Sequence, residues 1–252
     1  METEIVVLEK LKLKKPILIQ GLPGVGNVGR VSAGYLVSEL KMKKFAELYS
    51  PDFLPIVILN ESLTHMLKCE IYYYKGKSND LIVVTGDTQS VSPHGHYEFC
   101  SAVLDFAQKM DVESIITLGG FAEGKMVEKP KVIGAVNNKD LIKKYEKFDI
   151  DFKDHSVGTI IGASGLLVGL AEKNKIDGLC LMGQTMGYPM ITDPKAADSV
   201  LHIVSKMLDI KIDLTRLDKI VEEMEEKLKK AEDLYSKMSE DARAKEDVRY
   251  IG

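Results

Sequence analysis

Three glycines near the start of the chain have the spacing of a phosphate-binding loop. Gly24, Gly26 and Gly29 fit the pattern G-x-G-x-x-G, after a predicted strand and at the start of a predicted helix. Glycines there permit positive φ and close backbone approach, and a helix N-terminus favours an anion. A dinucleotide site also needs an acidic residue at the end of the second strand, but Glu47 lies inside that predicted strand and no P-loop lysine follows. The pattern therefore favours a tight turn that packs the helix closely on the sheet, with a ligand loop as the alternative.

A second polar group follows a later predicted strand, at the strand end where α/β folds usually bind ligands. Asp87 and Gln89 there either contact a small molecule or hold backbone groups of the loops. His94, His96 and Glu98 come next, but all three lie within five residues where loop meets helix, which is a poor geometry for binding one ion. We therefore predict a capped helix start and no metal site.

Ser164 lies between glycines, as the nucleophilic serines of hydrolases do. The pattern Gly-x-Ser-x-Gly is nevertheless absent, because Gly162 is in place but Gly165 comes one residue too early. We expect no catalytic serine here, and no catalytic residue or cofactor is predicted for the chain.

The elements that must position these residues are short apolar runs alternating with helical patterns. Several runs are apolar without alternation, as in strands buried on both faces, which favours a parallel sheet covered by helices. Residues 72–80 differ, because three tyrosines before a turn rich in Gly, Asn and Asp are typical of an antiparallel hairpin. The predicted fold class is an α/β three-layer sandwich with a mixed, mainly parallel central sheet. The predicted strands are residues 16–20, 45–50, 56–59, 70–74, 81–85, 114–118, 132–136 and 178–182, and the predicted helices are residues 27–40, 96–109, 139–146, 164–173 and 194–208, the last with Asp193 as N-cap.

The last part of the chain has a different composition. In residues 211–252, 22 of 42 are charged, against 50 of the preceding 210, so we predict a core domain at 1–210 and a solvated helix with a free tail at 211–252. Apolar residues recur there in steps of three and four, the period of a helix with one narrow apolar seam. A helix from about 213 to 245 would be roughly 50 Å long. The strongly apolar half of the seam, expected to pack on the domain or on another protomer, consists of Leu214, Leu217, Val221, Met224 and Leu228, and its weaker half of Ala231, Tyr235, Met238 and Ala242.

The composition of the chain argues against several classes of function. The formal net charge of −4 gives no general attraction to nucleic acid, and the longest stretch without charge is too short and too rich in glycine to span a bilayer. Cys69, Cys100 and Cys180 do not have metal-binding spacing and are expected to be buried, reduced thiols of a cytoplasmic protein. The acidic N-terminus is unlike a signal peptide.

Several motifs in a fixed order resemble the archaeal branch of the proteasome assembly chaperone family. They are residues 21–29, 86–89 with 95–99, 117–121, 162–167, and 183–189 with 193–197, so the resemblance covers residues 15 to about 205. It implies an α/β sandwich similar to the nucleoside phosphorylase fold, without the catalytic residues of that fold.

The resemblance also implies a homo-oligomer that assembles or activates the proteasome core particle. In such proteins C-terminal tails enter pockets between the α-subunits. The corresponding tail here is Val248, Arg249, Tyr250, Ile251 and Gly252, with the tyrosine third from the end where family tails often place it second. We expect the Tyr250 ring and the terminal carboxylate to bind a basic-rimmed pocket, with several tails acting together.

Two other functions remain open from the sequence. One is an α/β enzyme that binds a nucleotide-like molecule through Gly24, Gly26 and Gly29 with Asp87 and Gln89. The other is a purely structural homo-oligomer.

Overall fold

The computed structural model describes residues 2–124, 127, 129–153, 158–187, 192–217 and 219. Eleven strands are present in these residues, nine of them in one mixed sheet. In chain order the strands are β1 (Glu4–Val7), β2 (Ile17–Gly21), β3 (Lys43–Tyr49), β4 (Val57–Asn60), β5 (Leu63–Met66), β6 (Cys69–Tyr74), β7 (Leu81–Gly86), β8 (Ser114–Ala122), β9 (Val132–Val136), β10 (Ile150–Asp151) and β11 (Asp177–Thr185). The order across the sheet is β1-β3-β6-β7-β2-β8-β11-β9-β10, while β4 and β5 form a separate hairpin.

Helices cover both faces of this sheet, so the predicted three-layer sandwich is confirmed. The helices are α1 (Val28–Glu39), α2 (Pro93–Lys109), α3 (Asp140–Tyr145), α4 (Ala163–Lys173) and α5 (Pro194–Leu208). One layer contains α1, α3 and α5, whose buried residues share a core with one face of the sheet. The opposite layer contains α2 and α4, which share a second core with the other face.

The central strands are buried on both faces, as their continuous apolar runs predict. In β2, Leu18 enters the core under α2 and α4, whereas the next residue, Ile19, enters the core under α1. The strands β7, β2, β8 and β11 are parallel neighbours, so their carboxyl ends meet at one sheet edge. Antiparallel strands flank them, and the predicted Tyr72–Asp80 turn does join β6 to β7, with Tyr74 opposite Leu81. The predicted mixed sheet is therefore confirmed, with its parallel part at the centre.

Some boundaries differ from the sequence prediction. The helix predicted to start at His96 begins three residues earlier at Pro93, because the Ser92 hydroxyl accepts a hydrogen bond from Gly95 N at 2.9 Å and proline is favoured in the first turn. The predicted N-cap Asp193 is confirmed by its bond from Ala196 N at 3.0 Å. The strands β1, β5 and β10 were not predicted, and the strand predicted at residues 56–59 lies in the separate hairpin.

The three cysteines are buried free thiols, as predicted. Burial raises the pKa of the Cys100 thiol to about 12 and that of the Cys180 thiol to about 11, so both are protonated near neutral pH. In the residues that the structure covers, no helix combines the length and the apolar character needed to cross a membrane.

Candidate functional site

The segment that leads into the C-terminal region is fixed on the domain. After α5 the chain turns at Asp209, which has a left-handed backbone with φ of 50°. Asp213 then caps a 3-10 turn at Leu214–Arg216 by accepting a hydrogen bond from Thr215 N at 3.0 Å. The hydroxyl of Tyr35, on α1, donates a hydrogen bond to the Asp213 carbonyl. The residues at which the sequence predicts the C-terminal helix to begin thus have a defined position beside α1.

The first two seam residues pack on their own domain. Leu217 is 4% exposed and belongs to the core under α1 and α5, and Leu214 packs against the same core. For these two residues the structure therefore shows packing on the domain. The remaining packing residues Val221, Met224 and Leu228 lie outside the described residues, as does the tail at Val248, Arg249, Tyr250, Ile251 and Gly252.

The Tyr35 hydroxyl is expected to hold this segment in place. Tyr35→Phe removes its hydrogen bond to the Asp213 carbonyl, which should cost about 1 kcal/mol and lower the melting temperature by roughly 2–4 °C. Amide hydrogen exchange should accelerate in residues 211–217 more than in the sheet. Tyr145→Phe is the matched control, because this tyrosine is also buried in that core but its hydroxyl makes no hydrogen bond to the described residues. Unchanged exchange at 211–217 in Tyr35→Phe would contradict the assigned role.

Two of the three glycines of the loop are closely packed against other parts of the protein. Gly26 has φ of 59°, and a Cβ atom there would lie 2.7 Å from Thr185 Oγ1. A Cβ atom on Gly29 would lie 2.3 Å from the carbonyl oxygen of Leu118, in β8. The Gly26 carbonyl in turn accepts a hydrogen bond from Asp193 N at 2.9 Å, at the start of α5. These contacts are those of a turn that packs α1 closely against the sheet.

The two polar residues predicted beside this loop both contact protein groups. Gln89 Nε2 donates a hydrogen bond to the Pro23 carbonyl at 2.7 Å, so this side chain holds the loop backbone, as the sequence suggested. Asp87 forms an ion pair with Arg30, which is 4% exposed on α1. Burial lowers the pKa of the Arg30 guanidinium, and the Asp87 carboxylate opposes that shift. Asp87 therefore compensates the buried positive charge of Arg30. The sequence analysis did not identify Arg30 as the partner of Asp87.

Glu47 is not placed to bind a ribose. It lies within β3, as predicted, where its Oε1 atom accepts hydrogen bonds from Lys44 Nζ at 2.8 Å and Lys68 Nζ at 2.6 Å. The hydrogen bonds from these two ammonium groups lower the pKa of the Glu47 carboxyl to about 2. Its other carboxylate oxygen, Oε2, accepts a hydrogen bond from the Tyr49 hydroxyl at 2.7 Å, so both oxygens already have partners within the protein.

A small cavity lies where the glycine loop meets the start of α4. Its volume is about 250 Å³, and its lining includes Gly24, Gln89, Gly119 and Ser164. Pockets for drug-sized ligands usually measure about 300–1,000 Å³, so the cavity is small for a nucleotide. The Ser164 hydroxyl donates a hydrogen bond to the Leu118 carbonyl at 3.4 Å. The cavity thus brings together part of the predicted ligand loop, but without Gly26 or Asp87.

The histidine-rich helix start forms no metal-binding cluster. His94 Nε2 lies 4.0 Å from Glu98 Oε1, and both side chains are largely exposed. Within the described ranges, no group of three or more His, Cys, Asp or Glu residues could hold a metal ion.

Comparison with known proteins assigns the family. The PAC2 family profile matches residues 18–232. The chain belongs to the PAC2 family. The Methanocaldococcus jannaschii protein MJ1210 is 40% identical over 244 residues, which cover 95% of this chain and 93% of that protein.

Two solved structures are similar to this chain over most of its length. Pyrococcus furiosus PbaB, an archaeal proteasome activator, is 42% identical with a TM-score of 0.82, over 92% of this chain and 99% of PbaB. Pyrococcus furiosus PbaA, an archaeal homolog of proteasome-assembly chaperone, is 26% identical with a TM-score of 0.76, over 94% of this chain and 99% of PbaA. This PAC2 protein is thus a homologue of proteasome assembly chaperones and activators, which confirms the resemblance found in the sequence.

Proposed function

We propose that this PAC2 protein is a non-enzymatic chaperone or activator of the proteasome core particle. The similarity to PbaB, an archaeal proteasome activator, carries the proposal, because it extends over 99% of PbaB at 42% identity. The similarity also covers 92% of this chain. The partner proposed is the ring of α-subunits.

The C-terminal region is the part of the chain that we propose contacts this ring. Tyr35 and the core hold residues 213–217 in place, which gives the following residues a defined starting point. The strongly charged composition of residues 211–252 favours a solvated segment, with Tyr250 and Ile251 near its end as hydrophobic anchors. One short anchor binds weakly, but several anchors on one oligomer bind together at high effective concentration.

The contacts of the polar loop residues favour this function over an enzyme for nucleotide-like substrates. Gln89 is bonded to the Pro23 carbonyl, Asp87 to Arg30, and Glu47 to two lysines. Gly26 and Gly29 are packed against Thr185 and Leu118. A role in holding the fold accounts for all of these groups.

The test is to add the full-length protein to isolated archaeal core particles and to unassembled α-subunits. We expect micromolar or tighter binding to at least one of them by light scattering or surface plasmon resonance. An activator should also increase peptide hydrolysis by assembled particles, whereas an assembly chaperone should speed their formation from subunits. Failure to bind both forms would contradict the proposal.

A further inference from the structure

The β4–β5 hairpin extends from the domain with exposed apolar side chains. All four residues of β5 are exposed. Val57 and Met66 are directly opposite each other, and Leu59 lies on the same face because successive side chains of a strand alternate. Leu59 is 68% exposed and Met66 is 51% exposed. The hairpin therefore presents an apolar face that the described part of its own domain does not cover.

The hairpin is held firmly at its base. Phe53 and Ile56 before β4, and Leu67 after β5, are buried in the core beneath α2 and α4. At the tip, Glu61 and Ser62 have φ of 47° and 66°, as in the two-residue turns whose twist matches that of paired strands. The exposed face is thus part of a defined structure, anchored at one end and closed by a tight turn at the other.

Charge is nearly absent from this surface. Between residues 55 and 67 the only Asp, Glu, Lys or Arg is Glu61, although 29% of the whole chain is charged. Exposed strands of soluble proteins usually carry lysine, proline or bulges that prevent pairing with another chain. Among the described strands, β4 and β5 pair only with each other, so each has an open edge. The hairpin thus has unpaired edges and an apolar face, and lacks the usual charged protection.

We infer that the β4–β5 hairpin is the surface through which a second copy of this chain associates. In a twofold dimer the same surface meets itself, so any charge on it would face its own copy. An almost uncharged hairpin with an open β5 edge satisfies that condition, whereas a strongly charged partner would find no complementary group. Pairing of β5 with its symmetry mate would join two hairpins into one four-stranded sheet.

Neighbouring residues extend the surface towards the area that a stable dimer needs, about 800 Å² on each partner. Val91 N donates a hydrogen bond to the Asp52 carbonyl at 3.0 Å, which places the loop before α2 next to the base of the hairpin. The side chains of Val91 and Tyr97, on that loop and the first turns of α2, are also mostly exposed. Together with Leu59 and Met66 they provide apolar area on two adjacent elements.

The biological role of this interface rests on the proposed function, because association would bring several C-terminal tails together on one oligomer. If tails act together, a dimer should bind core particles more tightly than the same chain as a monomer. The self-association itself can be measured without any core particle.

The experiment compares the full-length chain with the double variant Leu59→Glu, Met66→Glu by sedimentation velocity from about 1 to about 100 µM. We expect a dimer or larger oligomer for the unaltered chain and at least roughly a hundredfold weaker association for the variant, because four carboxylates would then meet in the interface. Val7→Glu is the control, since Val7 is an exposed apolar residue of β1, on a different strand, and its substitution should leave association unchanged. Circular dichroism should show that both variants fold.

Two results would overturn the inference: a monomeric unaltered chain over the whole range, or dissociation by Val7→Glu and not by the hairpin variant. Binding to core particles, measured in parallel, separates the two proposals. A monomeric chain that still needs its tail to bind would refute the hairpin interface alone. An oligomer broken by the hairpin variant, with no core-particle binding at all, would support the interface and refute the proposed function.

Discussion

Gly29→Ala is expected to lower the melting temperature by roughly 6–12 °C, because the new methyl group overlaps backbone that cannot move freely. A Cβ atom there would lie 2.3 Å from the Leu118 carbonyl oxygen and 3.1 Å from that of Leu22. Leu118 is inside the central strand β8, so relief requires that α1 move away from the sheet. We expect a cost of about 3 kcal/mol, at the upper end of the usual range for overpacking, and for a domain of this size each kcal/mol shifts the melting temperature by about 2–4 °C.

Gly169→Ala provides the matched control in another helix. Gly169 is an exposed residue within α4, and none of the described atoms lies within 4 Å of a Cβ atom built on it. Alanine there should stabilise the protein by about 0.5–1 kcal/mol, because it reduces the backbone freedom of the unfolded chain. Thermal unfolding followed by circular dichroism measures both variants.

The pair of substitutions distinguishes the two interpretations of the glycine pattern. If Gly29 is needed for packing, Gly29→Ala destabilises the protein, or prevents its soluble expression, while Gly169→Ala expresses normally. If instead the Gly29→Ala variant melted within about 1 °C of the unaltered protein, that result would contradict the close packing of α1 on β8. The alternative interpretation of the loop as a ligand site would then be favoured.

Much of the fold could be predicted because local signals and tertiary packing agree there. Continuous apolar runs such as β7 indicated strands buried on both faces, and Asp193 before Pro194 indicated the start of α5. The strand β5 could not be predicted from the sequence Leu63-Thr64-His65-Met66, since its residues are exposed and it exists through pairing with β4. The strand β10 has only two residues and depends likewise on its neighbour β9.

The candidate site was predictable in part. Gly24 and Gln89 do lie together at the carboxyl ends of the parallel strands, as their positions after predicted strands indicated. Arg30 could have been singled out from the sequence, because it is the one charged residue in the mostly apolar stretch 28–37 of α1. That Asp87 pairs with it could not be known, since 57 positions separate the two residues and only the sheet order brings them together.

The second large effect concerns the tail. Removal of residues 249–252 deletes Tyr250 and Ile251 while leaving the described domain unaltered. If several tails bind one ring at once, loss of the anchor from every tail should weaken binding to the core particle by at least roughly a hundredfold. A chain in which these four residues are replaced by a Gly-Ser segment of equal length controls for length.

Single substitutions assign the effect to the aromatic ring. Tyr250→Ala is expected to reproduce most of the loss, since large aromatic residues dominate the energetics of small interfaces. Tyr250→Phe keeps the ring and should retain most of the affinity. All variants should keep the melting temperature of the unaltered protein, which shows that any loss of binding is not a loss of fold.

The most direct measurement is therefore equilibrium binding of archaeal core particles to the full-length chain and to the chain lacking residues 249–252, side by side at the same ionic strength. If the tail docks as proposed, the full-length chain should bind clearly and the shortened one little or not at all. Equal affinity of the two chains would show that the final four residues contribute nothing to binding, and would contradict docking through the C-terminal tail.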